Sequence, residues 1–147
     1  MNELENNVSF FRFEDLRIYA KAMEYVSWLH SKMSVDFQKN GEGESFSRNA
    51  FLNAANAIAL YTAEGSSRNK SQFLYYMKMA KSSVRECLVF TEIAYRLQAI
   101  SEHDYDYSRN QLMELTKMIG SLISSIQRSI GNLSSTEKDD VDMDTLH

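Results

Sequence analysis

Proline is absent from the sequence, and glycine occurs five times in 147 residues. Proline stops or kinks helices and glycine weakens them. Their scarcity, in a chain rich in Ala, Leu, Met, Glu and Lys, predicts long uninterrupted helices. The single cysteine, Cys87, excludes an internal disulfide and a cysteine-based zinc site. The expected setting is therefore reducing and cytoplasmic. No apolar run approaches the roughly 18 residues of a membrane span, and the opening MNELENNV lacks the basic and apolar regions of a signal peptide. No segment alternates with the period of a strand. What the chain does have is 44% hydrophobic residues, enough to bury the core of one domain.

Charge is unevenly placed within the formal net of −4. The stretch 134–147 carries Glu137, Asp139, Asp140, Asp142 and Asp144 against Lys138, and so holds the whole excess. It reads as a disordered acidic tail. Between Gly65 and Arg85 the reverse holds, with Arg68, Lys70, Lys78, Lys81 and Arg85 and no acid.

Four helical patterns follow a lead at residues 1–12, which reads as flexible, with Phe10 and Phe11 able to dock on the body. The first begins near Glu14 and Asp15, carboxylates suited to the positive end of a helix dipole. It carries two apolar stripes, Leu16, Tyr19, Ala20, Met23, Val26 and Met33 beside Ile18, Ala22, Tyr25 and Leu29. Two stripes exceed what a one-sided surface helix needs, so one is expected to face the core and the other a partner subunit. QKNGEGES, residues 38–45, is a loop by composition. The second pattern spans about 46–64, capped by Ser45 or Ser47. Its many alanines suit close approach by neighbouring helices, and Gly65 is expected to end it in the left-handed conformation. The third spans about 71–100, capped by Ser67, Asn69 or Ser71, with Phe73, Met77, Ala80, Val84, Cys87, Thr91 and Ala94 on one stripe. SEHD at 101–104 resembles a capping box, with Asp where Glu or Gln is preferred. It opens a fourth pattern to about residue 130, with a stripe from Tyr105 through Leu112, Leu115, Ile119, Leu122, Ile126 and Ile130 to Leu133. Gly120 is expected to mark a close backbone crossing and Gly131 to terminate. Short connections and no strands predict an all-α fold, an antiparallel up-down-up-down four-helix bundle over residues 13–133.

FEDL at 13–16 followed by Ala20, AEG at 63–65 followed by Arg68 and Phe73, the pair Ser83 and Glu86, and ISEHDY at 100–105 stand in one order over about residues 10–130. Together they resemble the bacterial 23S rRNA intervening-sequence protein family. The chain departs from the family pattern at Ala59, where Pro is usual, at Tyr61, where Asn is usual, and at Leu88 and Val89, which replace a common Glu-Thr pair. The resemblance implies a bundle assembled as a homopentamer and a link to ribosomal RNA genes. A related branch comprises accessory proteins of diversity-generating retroelements, which work beside a reverse transcriptase. That branch is strongly basic, whereas this chain has a pI of about 5.4.

No catalytic constellation is visible, and neither a metal nor a cofactor is called for. His30, His103 and His147 lack partners at ligand spacing, and Cys87 reads as a buried structural thiol. Glu64 and Glu86 read as ion-pair or cap residues; an enzymatic role would need a polar cavity holding both. Lys78, Lys81 and Arg85 share a helix face, preceded by Arg68 and Lys70 and accompanied by Tyr75 and Tyr76 as possible stacking surfaces. These five cations are the candidate nucleic-acid site. The expected partners are further copies of the chain, RNA or DNA, or a nucleic-acid-processing protein, with no membrane. An adaptor whose acidic tail meets a basic protein is the alternative.

Overall fold

A computed structural model describes residues 12–40 and 48–136. A 3-10 turn, Arg12–Asp15, leads into α1 (Arg17–Asn40), followed by α2 (Arg48–Ser66), α3 (Lys70–Arg96) and α4 (Glu102–Thr136). Among the described residues there is no strand, and the four helices form a bundle. The 3-10 turn takes in Arg12 of the expected lead, α1 takes in residues 38–40 of the expected loop, and α4 takes in residues 134–136 of the expected tail; the rest of those expectations, with Ser45 or Ser47 as a cap, lies outside the described residues.

The apolar periodicities account for the core. Ile18, Ala22, Tyr25, Leu29 and Met33 of α1 are buried. They meet Phe51, Ala54, Ala55, Ile58 and Ala59 of α2, the predicted stripe of α3 from Met77 to Ala94, and Leu112, Leu115, Ile119 and Ile126 of α4. The stripe of α1 through Tyr19 and Val26 is covered in part within the chain, while Ala20 and Met23 stay exposed. Tyr19 and Val26 pack against the core, and Phe13 meets Tyr19 edge-on at 5.0 Å. The largest exposed apolar side chains instead belong to α2 and α3: Leu60 at 66%, Tyr75 at 59% and Val89 at 56% exposure.

Polar contacts fix how the helices meet. Lys21 pairs with Glu114 at 2.7 Å and Lys32 with buried Asp104 at 3.5 Å. Inside the core, the hydroxyls of Tyr25 and Ser108 lie 2.7 Å apart, and those of Thr91 and Ser108 2.8 Å apart. Thr91 also donates to the Cys87 carbonyl at 2.7 Å. One satisfied hydroxyl chain thus ties α1, α3 and α4.

The glycines and helix ends depart from expectation. Gly65 does not end α2 in the left-handed region. It is a buried helical residue, and a Cβ there would stand 2.7 Å from Tyr76 Cβ and 3.0 Å from Phe73 Cδ1. Its role is to admit α3 against α2. Gly120 marks no crossing, because no described residue beyond its own turn of helix comes within 4 Å of its Cβ position. Gly131 does not terminate α4, which runs on to Thr136. The left-handed residue is Gln98, with φ 59°. It closes α3 four residues before the predicted end: Gln98 N–H donates to the Tyr95 carbonyl at 3.0 Å and Ala99 N–H to the Ala94 carbonyl at 2.8 Å, the bonds of a Schellman motif. Asn69 caps α3 by accepting from Gln72 N–H at 2.9 Å, and Ser101 caps α4 by accepting from Asp104 N–H at 3.1 Å, as the sequence predicts.

Candidate nucleic-acid interface

The corner between α2 and α3 is built from small polar residues that satisfy the last carbonyls of α2. Ser66 Oγ donates to the Ala63 carbonyl at 2.9 Å and Ser67 Oγ to the Glu64 carbonyl at 2.8 Å. Arg68 follows, and its charge is already engaged. Its Nε donates to Glu64 Oε1 at 2.9 Å, one turn back, and its guanidinium lies 5.9 Å from the centre of the Tyr76 ring. The hydrogen bond and charge of Glu64 raise the Arg68 pKa further. Lys70 reaches across to α4 and donates to Ser129 Oγ.

The remaining three candidate cations, Lys78, Lys81 and Arg85, part company. Lys78 and Arg85 are exposed, and Lys81 is half-buried. Arg85 borders a shallow, mostly apolar hollow of about 320 Å³ with Ser82, Glu86, Val89 and Phe90. Lys81 instead lines an open groove of about 850 Å³ between α3 and α4, opposite Lys117 and Arg128, with Gly120, Ser121, Ile123 and Ser124. Three cations therefore converge on one groove whose lining contains no carboxylate. The stretches of sequence around its lining residues, 66–85 and 115–136, contain no Asp or Glu. Glu114, one turn from Lys117, is committed elsewhere: its hydrogen bond to Lys21 lowers its pKa, with a smaller contribution from Lys117.

Lys117 and Arg128 were missed by reading α3 alone. The available signal was the acid-free second half of α4 and their spacing of about three helical turns, which puts both on one face. The tyrosines do not join this groove. Tyr76 is half-buried against Tyr61, with ring centres 6.2 Å apart, and Tyr75 meets Tyr76 edge-on.

The carboxylates of an imagined active site are not brought together in a polar cavity. Glu64 is exposed and paired with Arg68, and Glu86 is exposed beside the apolar hollow. His30 Nε2 lies 3.0 Å from Asn56 Oδ1, and His103 is exposed beside Asp104. Among the described residues no three His, Cys, Asp or Glu side chains group as a metal site. No helix there is long and apolar enough to cross a membrane.

Fold and surface thus define an all-helical bundle with a basic interhelical groove. The chain belongs to the 23S rRNA-intervening sequence protein family, whose profile matches residues 14–121. A solved structure with the same fold is a protein of unknown function from the S23 ribosomal protein family of Bacteroides thetaiotaomicron. It is 20% identical with a TM-score of 0.64, over 73% of this chain and 95% of that one. No curated protein matches the sequence.

Proposed function

We propose that this chain is a non-enzymatic, cytoplasmic scaffold, an antiparallel up-down-up-down bundle that assembles as a homopentamer and binds nucleic acid through the basic side of α3. The observation that carries the binding role is that Lys81 of α3 lines one carboxylate-free groove with Lys117 and Arg128 of α4. Such a surface attracts phosphate chains even when the whole molecule is acidic. The family's association with 23S rRNA favours RNA.

Helix order is supported by contacts whose numbering falls along one helix as it rises along the next. Phe51 meets Phe90 and Tyr61 meets Tyr76. Lys70 meets Ser129 and Thr91 meets Ser108. Self-assembly is supported by the exposed Leu60, Tyr75 and Val89 of α2 and α3, apolar side chains that a second copy of the chain would cover. Repetition around a ring would multiply weak contacts with one strand through avidity.

Size exclusion with light scattering tests the assembly. The expected particle is five times the 17.0 kDa chain, and a monomer at micromolar concentration contradicts it. Replacing Lys78 and Lys81 together by Glu tests the binding side. RNA affinity falls if the reading is right, and an unchanged affinity removes it.

A further inference from the structure

We propose that the groove between α3 and α4 is a binding site for the phosphodiester backbone of RNA, held by Lys81, Lys117 and Arg128. The inference rests on the nucleic-acid reading above and moves its centre from the outward face of α3 to the seam between two helices. Lys81 comes from α3 and the other two cations from α4, yet all three line one open groove with no carboxylate. Lys117 and Arg128 lie about 16 Å apart along α4, far enough for one strand to meet both at different phosphates. Ser121 and Ser124 stand between them on the lining and bring hydroxyl donors. Lys70, bonded to Ser129 just beyond Arg128, continues the positive line along the same helix pair.

Gly120 gives a second, independent reason. A glycine inside a helix is destabilising unless its missing Cβ serves something. At Gly65 it serves the packing of α3. At Gly120 no described residue beyond its own turn of helix comes within 4 Å of the Cβ position, and the residue lines the groove. A bare stretch of helix wall lets a ligand approach the α4 backbone between the two cations.

The lining also sets the kind of recognition. It contains no aromatic side chain, so bases have nothing to stack on. Lysine, arginine and serine read phosphate rather than sequence. The ligand is therefore gripped along its backbone, with little preference among bases.

Fluorescence anisotropy with labelled A and U homopolymers of roughly 20 nucleotides, at about 50 mM salt and upward, tests this. Both RNAs are expected to bind within about threefold of each other. Lys117→Gln with Arg128→Gln should weaken binding about tenfold and make the slope of log affinity against log salt shallower by about 1.4. Gly120→Glu should weaken binding comparably while the helical circular dichroism is kept. Lys78→Gln with Arg85→Gln, on the outward face of α3, should weaken binding less than the roughly tenfold of the groove pair. If the outward pair loses binding and the groove variants do not, the groove is wrong and the nucleic-acid reading stands. If the unaltered protein binds neither RNA, both fall. A strong preference for one homopolymer also overturns the backbone-only site.

Discussion

Replacing Gly65 by Ala should destabilise the protein although Ala is the better helix former. The gain of about 1 kcal/mol in propensity meets a Cβ placed 2.7 Å from Tyr76 Cβ, which only a helix shift can relieve. Overpacking of that kind costs about 1–3 kcal/mol, so denaturant unfolding should show a net loss. Gly120→Ala, with open space around it, should gain up to about 1 kcal/mol. Equal effects at the two sites would mean that the α2–α3 approach is misdescribed. Gln98 completes the comparison. Its φ of 59° is costly for a side-chain-bearing residue, so Gln98→Gly should stabilise by about 1 kcal/mol, read as a raised unfolding midpoint. Sequence alone suggested the opposite roles, a terminating Gly65 and a helix continuing through Gln98. A glycine looks the same whether it supplies a backbone angle or an absent Cβ. Only the neighbouring helix distinguishes the two.

Individual elements were more legible because their signals are local. Ser101 could be read as a cap from its position and Asn69 as one of three candidates, and the stripe of α3 matches its buried residues because periodicity and burial follow one geometry. What could not be read was how far each face of α1 is covered within the chain, since covering Tyr19 and Val26 depends on neighbouring elements. At this scale the hydroxyl chain of Tyr25, Ser108 and Thr91 joins three helices. Ser108→Ala leaves buried hydroxyls short of a partner and should cost about 1–3 kcal/mol. Burial, with a smaller contribution from the charge of Glu86, pushes the Cys87 thiol far above its ordinary value. Thiol reagents at about pH 8 should therefore react with it only on unfolding; rapid reaction of the native protein would show that α3 is not packed as described.

Two carboxylates held by hydrogen bonds, Glu92 and Glu114, add a pH dependence with a definite sign. Hydrogen bonds from Tyr105 and Arg96 lower the pKa of Glu92, and the bond from Lys21 lowers that of Glu114. A depressed carboxylate contributes stability above its unfolded value of about 4.3 and loses it as pH falls through the folded value. Unfolding midpoints should therefore decline in that acid range, and less steeply in Glu114→Gln. Lys21 and Tyr105 are shifted upward, so their share is lost only as strongly alkaline pH passes through their raised values. An acid slope unchanged by Glu114→Gln would remove the α1–α4 pair as a contributor.

For the whole molecule, net charge is a poor guide to what it binds. The −4 total reflects an acidic segment after residue 136, whereas the stretches of sequence around the groove's lining residues contain no acid. The family could be recognised from ordered short motifs, and its profile covers residues 14–121. The groove could not, because Lys81 and Arg128 become neighbours only when α3 and α4 pack. Sedimentation of a fluorescent RNA with the protein, at low and at high salt, tests assembly and binding together. The account predicts that RNA travels at low salt with a particle several times heavier than the 17.0 kDa chain. High salt should release the RNA and leave the particle's mass unchanged. RNA that never co-sediments, or that travels with a single chain, would contradict it.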